Sequence, residues 1–395
     1  MGFSPLDMQL GLSGSRYSLR VQGWLARLGT DLPFARAAFW LQELSGVVVS
    51  AATVRRQTEA VGATAVRLAE AEVRHVEREM PAPPVRPERL VLGADGAMVP
   101  LVGGEWAEVK LVSVGEPHRE RGGDAMRTQH LSYFARLADA ETFTRQALGE
   151  LHRRGVETAG AVAAVQDGAP WLQGFLDEHR ADAVRILDWP HAAQHLTELA
   201  ELIFGAQTPR AQRVAERLRR WLWEQGPSRV LAIAAGWARA DPQRPDVRTA
   251  VAYFRDRVSQ VDYPAFRAAG WPVGSGATES GHKQVMQARM KRAGMRWARA
   301  QVNPMLALSL LDHNGRWTAE APTVLAAHRT HGLQQRRQRQ HARRALKRPV
   351  PAVLAPPHAC TTERLGPASP PPPRRPMAPA VHPWRRYGTS LSTKK

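Results

Sequence analysis

Apolar positions recur at helical spacing through residues 15–78, and the pattern changes character near Leu90. Within "DLPFARAAFWLQELSGVVVSAATVRRQTEAVG", Phe34, Ala35, Ala38, Phe39 and Leu41 supply one apolar face. Ser45-Gly46 break the first helix, and Ser50 is placed to cap a second on which Thr53, Arg55 and Arg56 would be exposed. That is the form of a helix-turn-helix in a helical N-terminal region (1–79), with a plain helical hairpin as the other reading. "MPAPPVRPERL" reads as a proline-rich linker over 80–89. From there "RLVLGADGAMVPL" predicts an apolar strand ending in Asp95-Gly96, and "WAEVKLVSVGE" alternates with period two. "QHLSYFARLA" predicts a third strand. "ETFTRQALGELHRRGV" is an amphipathic helix, and "GAVAAVQDGAP" is a short buried strand ending in Asp167-Gly168. The helix "PWLQGFLDEHR" and the strand "AVRILDWPH", ending at Asp188, follow, and residues 190–260 are then helical throughout.

The order β-β-β-α-β-α-β, a long helical segment and a last helix is the ribonuclease H-like α/β arrangement. It predicts a core in two parts, 90–191 and 266–317, on either side of the helical segment at 192–265. Strands one and four of such a sheet are parallel neighbours, so acids ending both lie about 4.8 Å apart. That spacing suits two carboxylates sharing Mg²⁺, at the strand ends where ligands of open α/β sheets collect. Asp95 and Asp167 have these positions, and the glycine after each allows a sharp turn or a close phosphate. Asp188 ends the fifth strand, roughly 10 Å from Asp95 by the same spacing. That is too far to bridge metals about 3.5–4 Å apart, so Asp188 is placed beside the site. One Asp-Gly pair alone is better explained by a turn; two, each ending a strand in this order, point to a site.

The segment "GWPVGSGATESGHKQVMQARMKRAGMRW" sets one acid, Glu279, among Lys283, Arg289, Lys291 and Arg292. A carboxylate arriving from a helix could complete a metal site while the cations face DNA. "VGSG" supplies backbone N–H groups suited to phosphate. Glu279 alone would also suit the first turn of a surface helix.

Charge sharpens this picture. The 395-residue chain carries a net charge of +19, and its pI is near 11.2, which directs attention to a polyanion. Residues 318–395 hold +13 of that charge, and residues 1–317 the remaining +6. Twelve of the thirty prolines fall in residues 349–383, so 318–395 reads as a basic, proline-rich disordered tail. Its first part, "HRTHGLQQRRQRQHARRALKR", could be a basic helix or a basic arm. Cys360 is the only cysteine, which excludes an intramolecular disulfide and a cysteine zinc site. No signal-peptide pattern opens the chain, and no apolar run approaches the roughly 20 residues that span a bilayer. A cytoplasmic protein without a membrane partner is expected.

Four motifs in order, "ADGAMVPL", "QDGAPW", "LDWPHAAQHL" and "GSGATESGHKQVMQARMKRAGMRW", resemble the DDE transposases of bacterial insertion sequences, most closely the ISKra family, relatives of the Mutator-like group. The resemblance covers roughly residues 5–317 and implies that the helical segment at 192–265 is an all-α insertion. It implies Asp95, Asp167 and Glu279 as catalytic metal ligands for two Mg²⁺ or Mn²⁺ ions. Asp188 and His191 match the family's C/D-x-x-H signature, beside the site or orienting DNA; His191 could equally only cap and pack. The implied activity is binding of terminal inverted repeats, strand cleavage and strand transfer into target DNA, by a homo-oligomer on DNA. Ser50, Thr53, Arg55, Arg56, Lys283, Arg289, Lys291 and Arg292 are then the DNA-binding candidates. Relatives often begin with a cysteine-containing zinc-binding segment that has no counterpart here. A domesticated or inactive DNA-binding protein that uses the helix-turn-helix without cleavage is the alternative. A nuclease cutting independently of sequence is a third reading.

Overall fold

The five strands owe their positions to how completely their side chains are buried. In the computed structural model, which describes residues 17–120, 122, 123 and 125–346, β1 (Arg89–Pro100) is buried continuously from Leu90 to Ala94. Burial on both faces marks a central strand. β2 (Trp106–Arg119) and β3 (Met126–Arg136) extend the sheet antiparallel on one side, while β4 (Ala161–Gln166) and β5 (Val184–Leu187) extend it parallel on the other. The resulting order is β3-β2-β1-β4-β5, with β1 and β4 side by side and parallel as the sequence predicts. The fold is therefore mixed α/β around a five-stranded mixed sheet.

Alternation along the strands assigns each face its layer. Leu90, Leu92, Ala94, Val162 and Ala164 pack with Phe143 of α4 (Ala140–Arg153) and with Leu172 and Phe175 of α5 (Pro170–Arg180). Val91, Ala163, Val165 and Ile186 face a second layer, meeting Leu196 of α6 (Trp189–Phe204) and Leu218 and Leu222 of α7 (Pro209–Gln225). That layer continues through α8 (Pro227–Ala240), α9 (Pro245–Arg255) and α10 (Tyr263–Ala268). Each of its helices has proline in its first turn, where the missing N–H costs no hydrogen bond and φ is already helical. Residues 190–260 are helical, as the pattern predicts.

The N-terminal region contains α1 (Leu19–Asp31), α2 (Phe34–Ser45) and α3 (Ala51–Glu79). Gly46, at φ 69°, ends α2 in the left-handed region, and the Ser50 hydroxyl accepts the Thr53 N–H at 3.2 Å. The break and the cap fall where the sequence sets them. The apolar face needs correction. Ala37, Ala38 and Leu41 pack with Leu25 and Val54, with Phe34 against them, whereas Ala35 and Phe39 are exposed. Both lie one residue past the i, i+3, i+4, i+7 row, about 100° around the helix. The linker is not helical, and it runs against the turn before β4, where the Gly160 N–H donates to the Pro87 carbonyl at 3.1 Å.

The chain closes over the sheet with α11 (Gly276–Gly281), a π-helical stretch His282–Gln287 and a last turn Ala288–Met290. The buried helix α12 (Arg299–His313) then covers the edge of β3. Asn303 brackets the backbone of Leu137 (2.8 and 3.1 Å), and Asn314 brackets that of Tyr133 (2.8 and 2.9 Å). Side-chain amides thus satisfy an edge that would otherwise invite another strand. The final helix, α13 (Trp317–Leu346), corrects the placement of a disordered tail from residue 318. Ala321, Val324 and Leu325 are buried, an anchoring face that the basic composition of the segment obscures. The proline-rich stretch from Pro349 lies outside the described residues. Among those described, no helix is long and apolar enough to cross a membrane.

α3 and α12 cross closely at Gly62, where an added Cβ would meet the Pro304 carbonyl oxygen. Gly62→Ala should therefore destabilise the protein by about 1–3 kcal/mol, read by thermal or urea denaturation. An unchanged midpoint would contradict this packing.

Candidate functional site

Register brings three aspartates into one row. Gly93 pairs with Val165, and Val165 pairs with Ile186. Two residues further along come Asp95, still within β1, and Asp167 and Asp188, the first residues past the ends of β4 and β5. The parallel ladder stops at Ala94–Gln166, so Asp95 and Asp167 follow its last rung as neighbours, about one strand spacing apart. β1 does not end there: it continues to Pro100 against β2, with Asp95 opposite Leu111. The sequence misplaces that strand end because Gly96 looks like a turn. Gly96 has no positive φ; its missing Cβ makes room for the Glu108 side chain. Gly168 does turn, at φ 87°.

Both carboxylates are half committed to the backbone. Asp95 Oδ1 accepts the Gly96 N–H at 2.6 Å, and Asp167 Oδ1 accepts the Ala169 N–H at 2.8 Å. Burial raises the Asp95 pKa above the ordinary carboxylate value, and the charges of Asp167 and Glu108 raise it further. The Gly96 N–H and His191 oppose that rise. The turn after β4 is also held from above, where Tyr253 Oη donates to the Asp167 carbonyl at 3.3 Å. Arg257 likewise donates to the Gly168 carbonyl at 3.1 Å.

Asp188 plays a different part. It is 1 % exposed and caps α6, accepting from His191 Nδ1 at 2.8 Å with Oδ2 and from the Ser275 N–H at 2.6 Å with Oδ1. Trp189 N–H donates to the Val273 carbonyl at 2.9 Å. The Asp188–His191 pair therefore fastens the glycine-rich loop before Glu279 to the end of β5, and both carboxylate oxygens are occupied by protein donors. His191 reaches Asp188 on one side and lies close enough to Asp95 to act on its charge.

α11 lies on the Asp95 face. Thr278 Oγ1 sits 3.0 Å from Ser113 Oγ over Gly93, where any Cβ would collide with it. Gly281 packs against Tyr133 and Leu111. His282 is 3 % exposed, with Nε2 3.8 Å from Asp95 Oδ2 and no hydrogen-bond partner on either ring nitrogen. Burial lowers its pKa to about 4, so it is neutral beside Asp95. Sequence reasoning missed His282. Its only signal was its place one turn after Glu279, and spacing alone does not say which of the two faces Asp95. Glu279 itself is turned outward, 3.7 Å from Lys283 Nζ one helical turn on. Consequently no group of three His, Cys, Asp or Glu among the described residues is placed to hold a metal ion. Asp95 and Asp167 come together; Glu279 does not join them in this conformation.

The basic candidates divide. Lys283, Lys291, Arg292, Arg55 and Arg56 are exposed. Arg289 is not DNA-facing: it is 5 % exposed between the Phe34 and Trp297 rings (4.8 and 4.9 Å), and its Nε donates to the Gly29 carbonyl. Burial lowers its pKa to about 10. Its guanidinium joins α1 to the turn Ala288–Met290, a structural use that the surrounding cations disguised in the sequence. Ser50 is occupied as the cap of α3, with its Oγ 3.1 Å from Thr53 Oγ1.

The raised pKa of Asp95 has a definite sign. A carboxylate that binds its proton more tightly in the folded than in the unfolded chain costs stability above the folded pKa, and that cost disappears as pH falls through it. In metal-free buffer at neutral pH, Asp95→Asn should raise the melting temperature by something on the order of 1 °C, with the gain fading in acid. A lower melting temperature at neutral pH would show that the carboxylate is held by attraction. No family model and no curated protein sequence matches this chain.

Proposed function

We propose that the protein is a transposase with a ribonuclease H-like core, which binds the ends of its own insertion sequence and catalyses metal-dependent strand cleavage and strand transfer. One observation carries the proposal: Asp95 and Asp167 sit side by side where the parallel β1–β4 ladder stops. Two carboxylates this close, with Asp95 raised by burial and by the charge of Asp167, form a donor set suited to a cation. The oxygens left over from the Gly96 and Ala169 hydrogen bonds are hard ligands suited to Mg²⁺ or Mn²⁺. Divalent ions held there would supply Lewis-acid stabilisation of the phosphodiester and an activated water or 3′-hydroxyl.

The chain's own residues do the rest. Glu279, on the helix seated over Gly93, would be the third ligand if it left Lys283, and Lys283 would then be available to a phosphate. Neutral His282 packs beside the Asp95 carboxylate without a hydrogen bond to it, and Asp188 with His191 holds the loop that leads to Glu279. Arg55 and Arg56, on the capped and exposed first turns of α3, are placed to contact the element's ends. The pairing of Glu279 with Lys283 favours the second reading, a DNA-binding protein that does not cut.

The same experiment decides between them. Duplexes carrying the inverted repeats that flank the gene should be cleaved with Mg²⁺ or Mn²⁺ and left intact with EDTA. Asp95→Ala, Asp167→Ala and Glu279→Ala should each lower cleavage by about three orders of magnitude or more while leaving DNA affinity nearly unchanged. Binding of the ends with no cleavage under any divalent ion would establish the second reading instead.

A further inference from the structure

The outward face of α7 carries charge that the protein itself does not use. Arg210, Arg213, Arg217 and Arg220 are all exposed and fall within about 80° of arc at 100° per residue. Ala211, Ala215, Leu218 and Leu222 form the opposite, buried face against the sheet side of the layer. Within the described residues, none of the four arginines has an ion pair; Arg210 and Arg217 lie over the Phe204 and Trp221 rings at 4.6 and 5.8 Å. Successive members are three or four residues apart, so each repels the next and weakens the helix that carries them. Glu216 lies to one side of the row, and Glu224 ends it one turn beyond Arg220.

The row also has a direction. Trp223 packs on Trp189 at 4.7 Å, which sets the C-terminal end of α7 beside the start of α6, where Asp188 is the cap. The arginines therefore run from the aspartate end of the helical layer outward. From Arg220 to Arg210 the helix rises about 15 Å. Phosphates of one DNA strand recur every 3.4 Å or so along the axis, so that length matches about four of them. Guanidinium groups are suited to phosphate by shape as well as charge.

We propose that Arg210, Arg213, Arg217 and Arg220 form a track for the phosphate backbone of duplex DNA flanking the candidate site. This deepens the proposed function by naming the surface that holds the flanking duplex, and it is independent of whether the site cuts. The test compares the full chain with its Arg210→Gln/Arg213→Gln/Arg217→Gln/Arg220→Gln variant, and with the same four positions changed to Lys. Binding to a random-sequence 40-base-pair duplex is titrated by fluorescence anisotropy across a range of salt. The Gln variant should lose roughly tenfold or more in affinity near 0.1 M salt, and its log–log salt slope should shrink by about 2–4. The Lys variant should keep most of the slope, and the Gln variant should melt close to the wild type, because only the ring contacts of Arg210 and Arg217 are lost. An unchanged slope in the Gln variant overturns the track, as does a loss confined to an RNA duplex. A reduced slope in a protein that never cleaves DNA keeps the track and removes the catalytic reading. Cleavage with an unchanged slope removes the track alone.

Discussion

The site depends on one short ladder. β1 and β4 run parallel from Arg89–Ala161 to Ala94–Gln166 and then part, and an aspartate follows the last rung on each strand. Apolar residues on both faces pin this register: a slip of one residue would turn Asp95 and Asp167 into the α4–α5 core and bring Ala94 and Gln166 out. The core thus fixes the spacing of two like charges, which the fold alone does not favour. Burial, with the charge of Asp167 adding to it, raises the Asp95 pKa, as is common where carboxylates are gathered for function.

The surrounding elements restrain what the ladder creates. Asp188 occupies the third place in the row but is consumed by Ser275 and His191, so the row contains two available acids rather than three. That capping interaction joins the end of β5 to the loop entering α11. Thr278, Gly93 and Ser113 then seat α11 on the Asp95 face. Tyr253 and Arg257 close the turn after Asp167 from the helical layer. The turn that carries Asp167 is therefore tied to the helical layer, whereas Glu279 is exposed and paired with Lys283.

Much of this is legible in the sequence. The elements, the helical segment and the Ser50 cap follow from alternation and from proline, serine and glycine positions, whereas the strand order and the placing of Asp188 beside Asp167 come from the order of elements. What escaped was set by tertiary packing. Gly96 reads as a turn because its reason for being glycine is the Glu108 side chain from the next strand. Arg289 reads as a surface cation because Phe34 and Trp297, which enclose it, come from other elements. α13 reads as tail because three buried apolar residues anchor a helix whose composition is otherwise basic. His282 carried no signal beyond its spacing, since its importance is the proximity of Asp95.

The central claim is that Asp95 and Asp167 share a divalent cation. The most direct measurement is a crystal structure of the full chain grown with Mn²⁺, with anomalous scattering used to locate the ion. The account predicts an anomalous peak within about 2.5 Å of a carboxylate oxygen from each of Asp95 and Asp167, with Asp188 still bound to Ser275 and His191. Manganese held at Asp188, or no peak between the two aspartates at saturating Mn²⁺, would contradict it.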